Sequence, residues 1–341
     1  MSDRRAVVRR HLCALAGARR GDLQSLARRS LHPQAVFDIA CPVDRLAGVE
    51  AVTEGFYEPL RRALRHLHRR DEIFIGGRNR LPTGGQWIAA VTHYVGNFES
   101  PLFGIPPSGH VGFLRSGEFY RLENCLIVEA KIIIDLPDLA RQAGRPVLPA
   151  VLGTQMLFPG PASHDGVLPR QRRDGASSLS LVETMLGELH AFDPQTFGSK
   201  GQPGPTGYWH EDMLWHGPGG IGTSYRWEGF IKDHREPFLR AFPDRKGGNH
   251  FCHIGDGSYA AVSGWPSMAM THTGEYLGVP ATGRRLTLRV MDFYRCAGGR
   301  IMENWVFLDL VDLFAQMDVD LIQRSKDYSD KPQTGQAFSR G

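Results

Sequence analysis

An aspartate within an apolar run is the residue best suited to acid/base chemistry in this sequence. Asp292 lies in the run 286–295, Leu-Thr-Leu-Arg-Val-Met-Asp-Phe-Tyr-Arg. Burial in such a strand would disfavour the carboxylate and raise its pKa, which suits a general acid or base. The alternative is a structural ion pair with Arg289 or Arg295. Glu118 occupies the matching position of a similar, earlier run and would be the corresponding acid there.

Several histidines offer further groups for proton transfer. His272 lies in a loop rich in glycine and proline and would act at a pocket rim, although a lone histidine is more often structural. His93 lies on a predicted strand and would pair with Glu118 if its side of the strand is concave. His250 and His253 do not combine with His272 at a metal-binding spacing, so we predict no metal site.

The strands that position Asp292 form a predicted hairpin. Two β-rich runs, 286–295 and 300–309, flank the dipeptide Gly298-Gly299, which is a strong hairpin signal. A turn centred on Gly299 places Asp292 opposite Val306, with both side chains on one face of the sheet.

The same pattern occurs twice along the chain. Three matches recur at a constant spacing of 174 residues: Glu54-Gly55-Phe56 with Glu228-Gly229-Phe230, Gly104 with Gly278, and Phe119-Tyr120-Arg121 with Phe293-Tyr294-Arg295. Constant spacing indicates a duplicated fold. We therefore predict a first domain at 1–144, a Pro/Gly-rich linker at 145–179, a second domain at 180–325 and a flexible tail at 326–341.

Each half has the order helix, short strand, helix and then a series of antiparallel strands. This order predicts an α+β domain in which helices cover one face of a curved sheet. Such a cone leaves a pocket between the helices and the concave face.

Composition limits the class of protein. The 341 residues suffice for two domains, and 41% hydrophobic and 22% charged residues are typical of a folded, soluble chain. A net charge of +4 without a basic, aromatic stripe argues against nucleic-acid binding. Five scattered cysteines fit a reducing cytoplasm. Since no apolar run approaches the roughly 20 residues of a membrane span, we predict no membrane association.

The second half resembles the SnoaL-like polyketide cyclases, which share the nuclear transport factor 2 / ketosteroid isomerase fold. The resemblance depends on His272-Thr-Gly-Glu, Gly278-Val-Pro-Ala-Thr-Gly-Arg284, Asp292-Phe293 and Arg300-Ile-Met-Glu-Asn-Trp305. It implies two tandem cone-shaped domains packed through their sheets, so that the fused pair imitates a homodimer, with further oligomerisation left open. Family members include ring cyclases, isomerases, epoxide hydrolases, dehydratases and non-catalytic proteins.

The resemblance also implies that the family's usual acid/base residue is absent here. In the aldol cyclases an aspartate lies two positions after the residue that matches Asn304. That position is Val306 in the second half and Ile132 in the first. The cyclases' partner histidine matches Asp292 and Glu118, so a carboxylate would remain, but on the neighbouring strand.

The same resemblance places substrate near five residues of the second half. They are Trp215, His216, Tyr259, Asn304 and Val306. Because side chains alternate along a strand, only one of Trp215 and His216 can point inward.

We therefore expect a small-molecule enzyme that uses acid/base chemistry without metal or organic cofactor, with Asp292 as its main group. Its reaction would be a cyclisation, isomerisation, dehydration or hydrolysis. The alternative is a non-catalytic small-molecule-binding or scaffold protein, because both copies lack the cyclase aspartate.

Overall fold

The structure, a computed structural model, describes residues 4–19, 21–168, 175–189 and 191–328. Part of the predicted linker (169–174) and most of the predicted tail (329–341) lie outside the described residues. Residues 145–168 of the linker contain short bridges and turns, whereas a helix already begins at Ala176, inside the predicted linker.

The first half contains a six-stranded sheet and its covering helices. Its elements are α1 (Arg4–Gly17), α2 (Leu23–Ser30), β1 (Leu31–Ile39), β2 (Asp44–Ala47), α3 (Val49–Val52), a π-helical turn (Thr53–Tyr57), α4 (Glu58–Ala63), β3 (Leu64–Arg78), β4 (Gln86–Phe98), β5 (Val111–Glu123), β6 (Leu126–Ile134) and α5 (Leu136–Gln142). The strand order is β2-β1-β6-β5-β4-β3.

The second half repeats this arrangement. Its elements are α6 (Ala176–Leu189), β7 (Trp209–His216), β8 (Thr223–Tyr225), α7 (Arg226–Phe230), a second π-helical turn (Ile231–Arg235), α8 (Glu236–Ala241), β9 (Lys246–Gly247), β10 (His250–Asp256), β11 (Tyr259–Thr271), β12 (Arg285–Ala297), β13 (Arg300–Leu308), α9 (Leu310–Ala315) and α10 (Leu321–Asp327). The main strand order is β10-β11-β12-β13-β7-β8, with β9 also paired to β11. None of the described helices is long and apolar enough to cross a membrane.

The α+β prediction is confirmed, with one correction to the sheets. Most neighbouring strands are antiparallel, but β1 pairs with β6 in parallel, and β7 pairs with β13 in parallel. The sequence signals for hairpins report only pairings between strands that are adjacent in the chain, so they could not show these two contacts.

The predicted register of the second-half hairpin is also confirmed. Gly298 and Gly299 form the β12–β13 turn with φ of 55° and 72°, conformations that favour glycine. In this register Asp292 lies opposite Val306. Glu118 lies opposite Ile132 at the matching point of β5 and β6.

The two sheets pack face to face, as the resemblance implied. Their shared core includes the equivalent residues Phe119 and Phe293, whose ring centroids lie 5.5 Å apart. The linker contributes Phe158 to this core, and Pro159 accepts a hydrogen bond of 3.0 Å from the indole of Trp305. Each sheet therefore has one face toward its partner sheet and the other toward its own helices.

Candidate functional site

A cavity of about 300 Å³ lies between the second sheet and its helices. We call it the second-domain cavity. Its sheet wall includes Val262, Leu288, Val290, Asp292, Tyr294, Asn304, Val306 and Leu308, and its helix wall includes Phe230, His234, Arg235 and Phe238. A mainly apolar cavity with a few converging polar groups is the usual form of a small-molecule site.

Asp292 is the carboxyl on the sheet wall of this cavity. Side chains alternate along β12, so Asp292 and Tyr294 point to the same face. Tyr294 and Asn304 both donate hydrogen bonds to the Asp292 carboxylate. Burial raises the pKa of Asp292 to about 7, and the two hydrogen bonds oppose this rise. Asn304 also donates to the carbonyl of Phe293 over 3.1 Å, which fixes its amide.

The arginines proposed as structural partners of Asp292 lie elsewhere. Arg289 pairs with Asp309 at 2.9 Å, and Arg295 pairs with Glu303. Both arginines occupy odd positions on β12 and therefore point to the opposite face from Asp292. The Asp292 carboxyl thus has neutral hydrogen-bond donors rather than a cation as its partners.

Aromatic rings from β7 and from the covering helix also line the cavity. Trp215 stacks on His234 with a ring separation of 4.2 Å and an interplanar angle of 17°. Phe230 packs beside both rings, and its own ring centroid lies 5.9 Å from that of Trp209. These rings give the cavity flat apolar surfaces of the kind that accept a ring-shaped ligand.

His234 belongs to the site and was not predicted from the sequence. Burial lowers its pKa to about 3, with smaller contributions from the charges of Arg235 and Arg245, so the imidazole is neutral. Its Nδ1 has no hydrogen-bond partner among the described residues. The repeated dipeptides Glu58-Pro59 and Glu236-Pro237 carried a signal, because aligning them places His234 at the position of the buried Phe56.

Residues 205–317 match the family of SnoaL-like polyketide cyclases. Most of the second domain is therefore similar to this family. At the level of the family, this supports a cyclase- or isomerase-type function on a small molecule.

Solved structures similar to the chain each span about one domain of it. A SnoaL-like protein from Jannaschia sp. CCS1 is 17% identical, with a TM-score of 0.31, and covers 40% of this chain and 90% of its own. TsrD from Streptomyces laurentii is 22% identical, with a TM-score of 0.34, over 42% and 98%. IdmH from Streptomyces antibioticus, proposed to be a polyketide cyclase, is 26% identical, with a TM-score of 0.27, over 33% and 82%. None of the curated proteins compared with the chain matches it significantly.

The structure brings Asp292, Asn304, Val306 and Trp215 together in the SnoaL-like domain, but it places His216 elsewhere. His216 points to the opposite face of β7, as alternation requires once Trp215 points inward. Its ring lies 5.3 Å from that of Trp305 in the region between the sheets. Burial there lowers the pKa of His216 to about 4.

Tyr259 and His272 do not line the cavity either. Tyr259 lies in the core between the sheets, and its hydroxyl donates to Asp165 over 2.5 Å. His272 lies at the far end of β11, fully buried against Phe242, with its Nδ1 3.1 Å from the Thr282 hydroxyl. The loop that holds His272 folds into the core instead of forming the expected rim.

The predicted pair of Glu118 and His93 in the first domain does not form. Ala90 lies opposite Glu118 in the β4–β5 register, so the even-numbered positions of β4 share the face of Glu118 and His93 points away. His93 instead approaches Glu72, with 3.6 Å between Nδ1 and Oε1. Glu118 is fully buried and forms an ion pair with Arg69.

No cluster of three or more potential metal ligands occurs within the described ranges. The polar groups around Asp292 are a phenol and an amide, which hydrogen-bond a carboxylate instead of completing a typical metal site. The arrangement can bind a compact apolar molecule and exchange a proton with it.

Proposed function

We propose that the SnoaL-like domain binds a small, mainly apolar carbonyl compound and that Asp292 transfers a proton at the carbon next to the carbonyl. The observation that carries this proposal is a carboxyl in an apolar cavity whose partners, among the described residues, are two neutral hydrogen-bond donors rather than a cation. Aldol-type cyclisation and double-bond isomerisation both begin with removal of such a proton, so this step fits the family-level function.

The raised pKa suits this role. With a pKa of about 7, Asp292 is partly ionised at neutral pH and can both accept and return a proton. Tyr294 and Asn304 hold the carboxylate in place, and the stacked rings of Trp215 and His234 would support a ring-shaped substrate. Because His234 is neutral, it adds no positive charge that would pair with Asp292.

Loss of the cyclase aspartate supports a second candidate, a protein that binds a small molecule without converting it. Val306 occupies the position of that aspartate and contributes only an apolar surface. Such a binder would hold a ligand in the second-domain cavity without accelerating proton exchange. The two candidates therefore differ in one measurable property.

Hydrogen–deuterium exchange of a panel of cyclic ketones, followed by NMR in D2O, measures that property. We expect the wild-type protein to accelerate exchange in at least one ketone and Asp292→Asn to reduce the rate by about 10²–10⁴-fold, the usual contribution of a general base. Asp212→Asn serves as the matched control, because Asp212 is an exposed carboxylate with 57% side-chain exposure. This variant should accelerate ketone exchange at the wild-type rate.

If the Asp292→Asn variant accelerates ketone exchange at the wild-type rate, Asp292 is not the base. A wild-type protein that binds ketones but accelerates no exchange would instead support the binding protein. Mass spectrometry of ligands that co-purify with the protein would extend the panel toward the natural compound.

A further inference from the structure

A buried arginine on the helix wall of the second-domain cavity has no role in the proton transfer described above. Arg235 lies at the end of the second π-helical turn and is only 3% exposed. Its Nε donates to the carbonyl of Phe197 over 2.8 Å. Within the described part of the chain, Arg235 has no carboxylate partner, and its buried Nη2 has no hydrogen-bond partner. Burying a guanidinium without a counter-charge is costly, so such a group indicates a missing anion.

Its surroundings strengthen the need for an anion. Arg245 also lines the cavity, and its charge adds to burial in lowering the pKa of Arg235 to about 10. Both side chains remain cationic at neutral pH. Asp292 does not balance Arg235, because its hydrogen-bond partners are Tyr294 and Asn304. Arg235 and Asp292 thus lie on opposite walls of one cavity, and the ion pairs within the described residues do not join them.

The first domain has a neutral residue at the equivalent position. The two π-helical turns begin 178 residues apart, at Thr53 and Ile231, so Tyr57 is the equivalent of Arg235. Tyr57 is fully buried and uncharged. The cation is therefore a feature of the domain with the cavity and is not required by the helix itself.

We propose that the ligand of the second-domain cavity carries a carboxylate and that Arg235, with Arg245 beside it, binds this group. The proposal rests on the proposed function only in assigning the ligand to the same cavity. The planar guanidinium matches a carboxylate, with two parallel N–H donors for two oxygens. A carboxylate is preferred to a phosphate because the rest of the cavity is mainly apolar and offers few donors for a dianion. The substrate would then be an apolar ring compound held by its acid group at the helix wall, with its reacting carbon toward Asp292.

Isothermal titration calorimetry with 1-naphthoate, 1-naphthamide and 1-naphthyl phosphate tests this directly. We expect the wild-type protein to bind naphthoate at least about tenfold more tightly than the uncharged amide, the difference that one charge-assisted hydrogen bond provides. Arg235→Gln should remove this preference. Arg240→Gln, an exposed arginine one turn further along that pairs with Glu236, should preserve it.

Equal affinity for acid and amide in the wild-type protein would overturn the proposal, as would absence of binding by all three probes. Retention of the acid preference in Arg235→Gln would also overturn it. Tighter binding of the phosphate than of the carboxylate would overturn the choice of anion. Should Arg235→Gln fail to fold, Arg235→Lys replaces it, because lysine keeps the charge but lacks the planar guanidinium. Arg235→Lys should weaken the binding of naphthoate more than the binding of naphthamide.

Asp292→Asn separates this inference from the proposed function. It should keep or increase the preference for the acid, because a nearby negative charge is removed. If proton exchange proves not to depend on Asp292 while the acid preference depends on Arg235, the function proposal fails and the anion site stands. The opposite pattern overturns the anion site alone.

Discussion

The two domains place an acid at the same point of the same fold and surround it differently. In the first domain Glu118 pairs with Arg69 and accepts hydrogen bonds from Tyr94 and Tyr120 at 2.8 and 2.7 Å. In the second domain Asp292 has neutral donors, Tyr294 and Asn304, as its partners within the described ranges, and it borders a cavity. A carboxylate that is fully paired serves structure, whereas one that is only partly satisfied remains available for chemistry.

A single missing side chain explains much of this difference. Arg69 pairs with Tyr94 across β3 and β4, and Gly247 pairs with Met268 across β9 and β11. Tyr94 and Met268 are equivalent, because their partners on the next strand are 174 residues apart. Gly247 therefore stands where the first domain has its arginine. The edge strand is also interrupted after Gly247, while β3 continues for 15 residues. Loss of the arginine removes the counter-ion and leaves space at the same time.

The largest expected effect comes from changing each acid to its amide. Glu118→Gln should lower the free energy of unfolding by about 3–5 kcal/mol at pH 7, because it breaks a buried ion pair and leaves Arg69 with less compensation. Asp292→Asn should be neutral or stabilising, because it removes a carboxylate that burial disfavours. Urea denaturation of both variants gives the comparison. Equal losses of unfolding free energy in the two variants would mean that Glu118 and Asp292 do not differ in how fully they are paired.

A second difference should appear in the pH dependence of stability. The pKa of Asp292 is about 7 in the folded protein and about 3.9 in an unfolded chain. The folded state therefore holds the proton more tightly, so this residue lowers stability as pH rises from about 4 to about 7, by up to about 4 kcal/mol. Asp292→Asn should remove that decline.

Other buried acids also titrate, including Asp309, whose pKa burial raises to about 6. The useful quantity is therefore the difference in unfolding free energy between wild type and Asp292→Asn at each pH. This difference should grow from pH 4 to pH 7 and then level off. A difference that does not change with pH would contradict the raised pKa of Asp292.

The residues that the strands contribute to this site were predictable from the sequence, because strand geometry is regular. The glycine turn fixes the β12–β13 register, and side-chain alternation then places Asp292 beside Val306 and Asn304 on one face. The same rule required that the side chains of Trp215 and His216 point to opposite faces of β7. The expected pairing of His93 with Glu118 failed for the same reason, because it assumed the wrong face of β4.

The residues that the helices contribute to the site were not predictable in the same way. Each covering helix contains a π-helical turn, which changes the angular position of every residue after it. The sequence match of 54–56 with 228–230 has a spacing of 174, but the π-helical turns align at 178, so that match is displaced by one helical turn. His234 and Arg235 therefore face the cavity from positions that the constant spacing did not indicate. No periodic pattern in the sequence indicates the interruption of the edge strand after Gly247 either.

The smallest expected effect concerns the tyrosine that both domains keep. Tyr294→Phe removes one hydrogen bond to the Asp292 carboxylate and should raise the pKa of Asp292 by about one unit, since such a bond contributes about 1.5 kcal/mol. Carboxyl ¹³C NMR titration, or the pH profile of ketone exchange, would show this shift. Tyr120→Phe is the matched change in the first domain, where Arg69 and Tyr94 still hold Glu118. It should cost about 1 kcal/mol of stability and leave the titration of Asp292 unchanged. Because the two substitutions remove the same hydroxyl from equivalent positions, a pKa shift confined to Tyr294→Phe would indicate that the tyrosine tunes an acid in one domain and only supports an ion pair in the other.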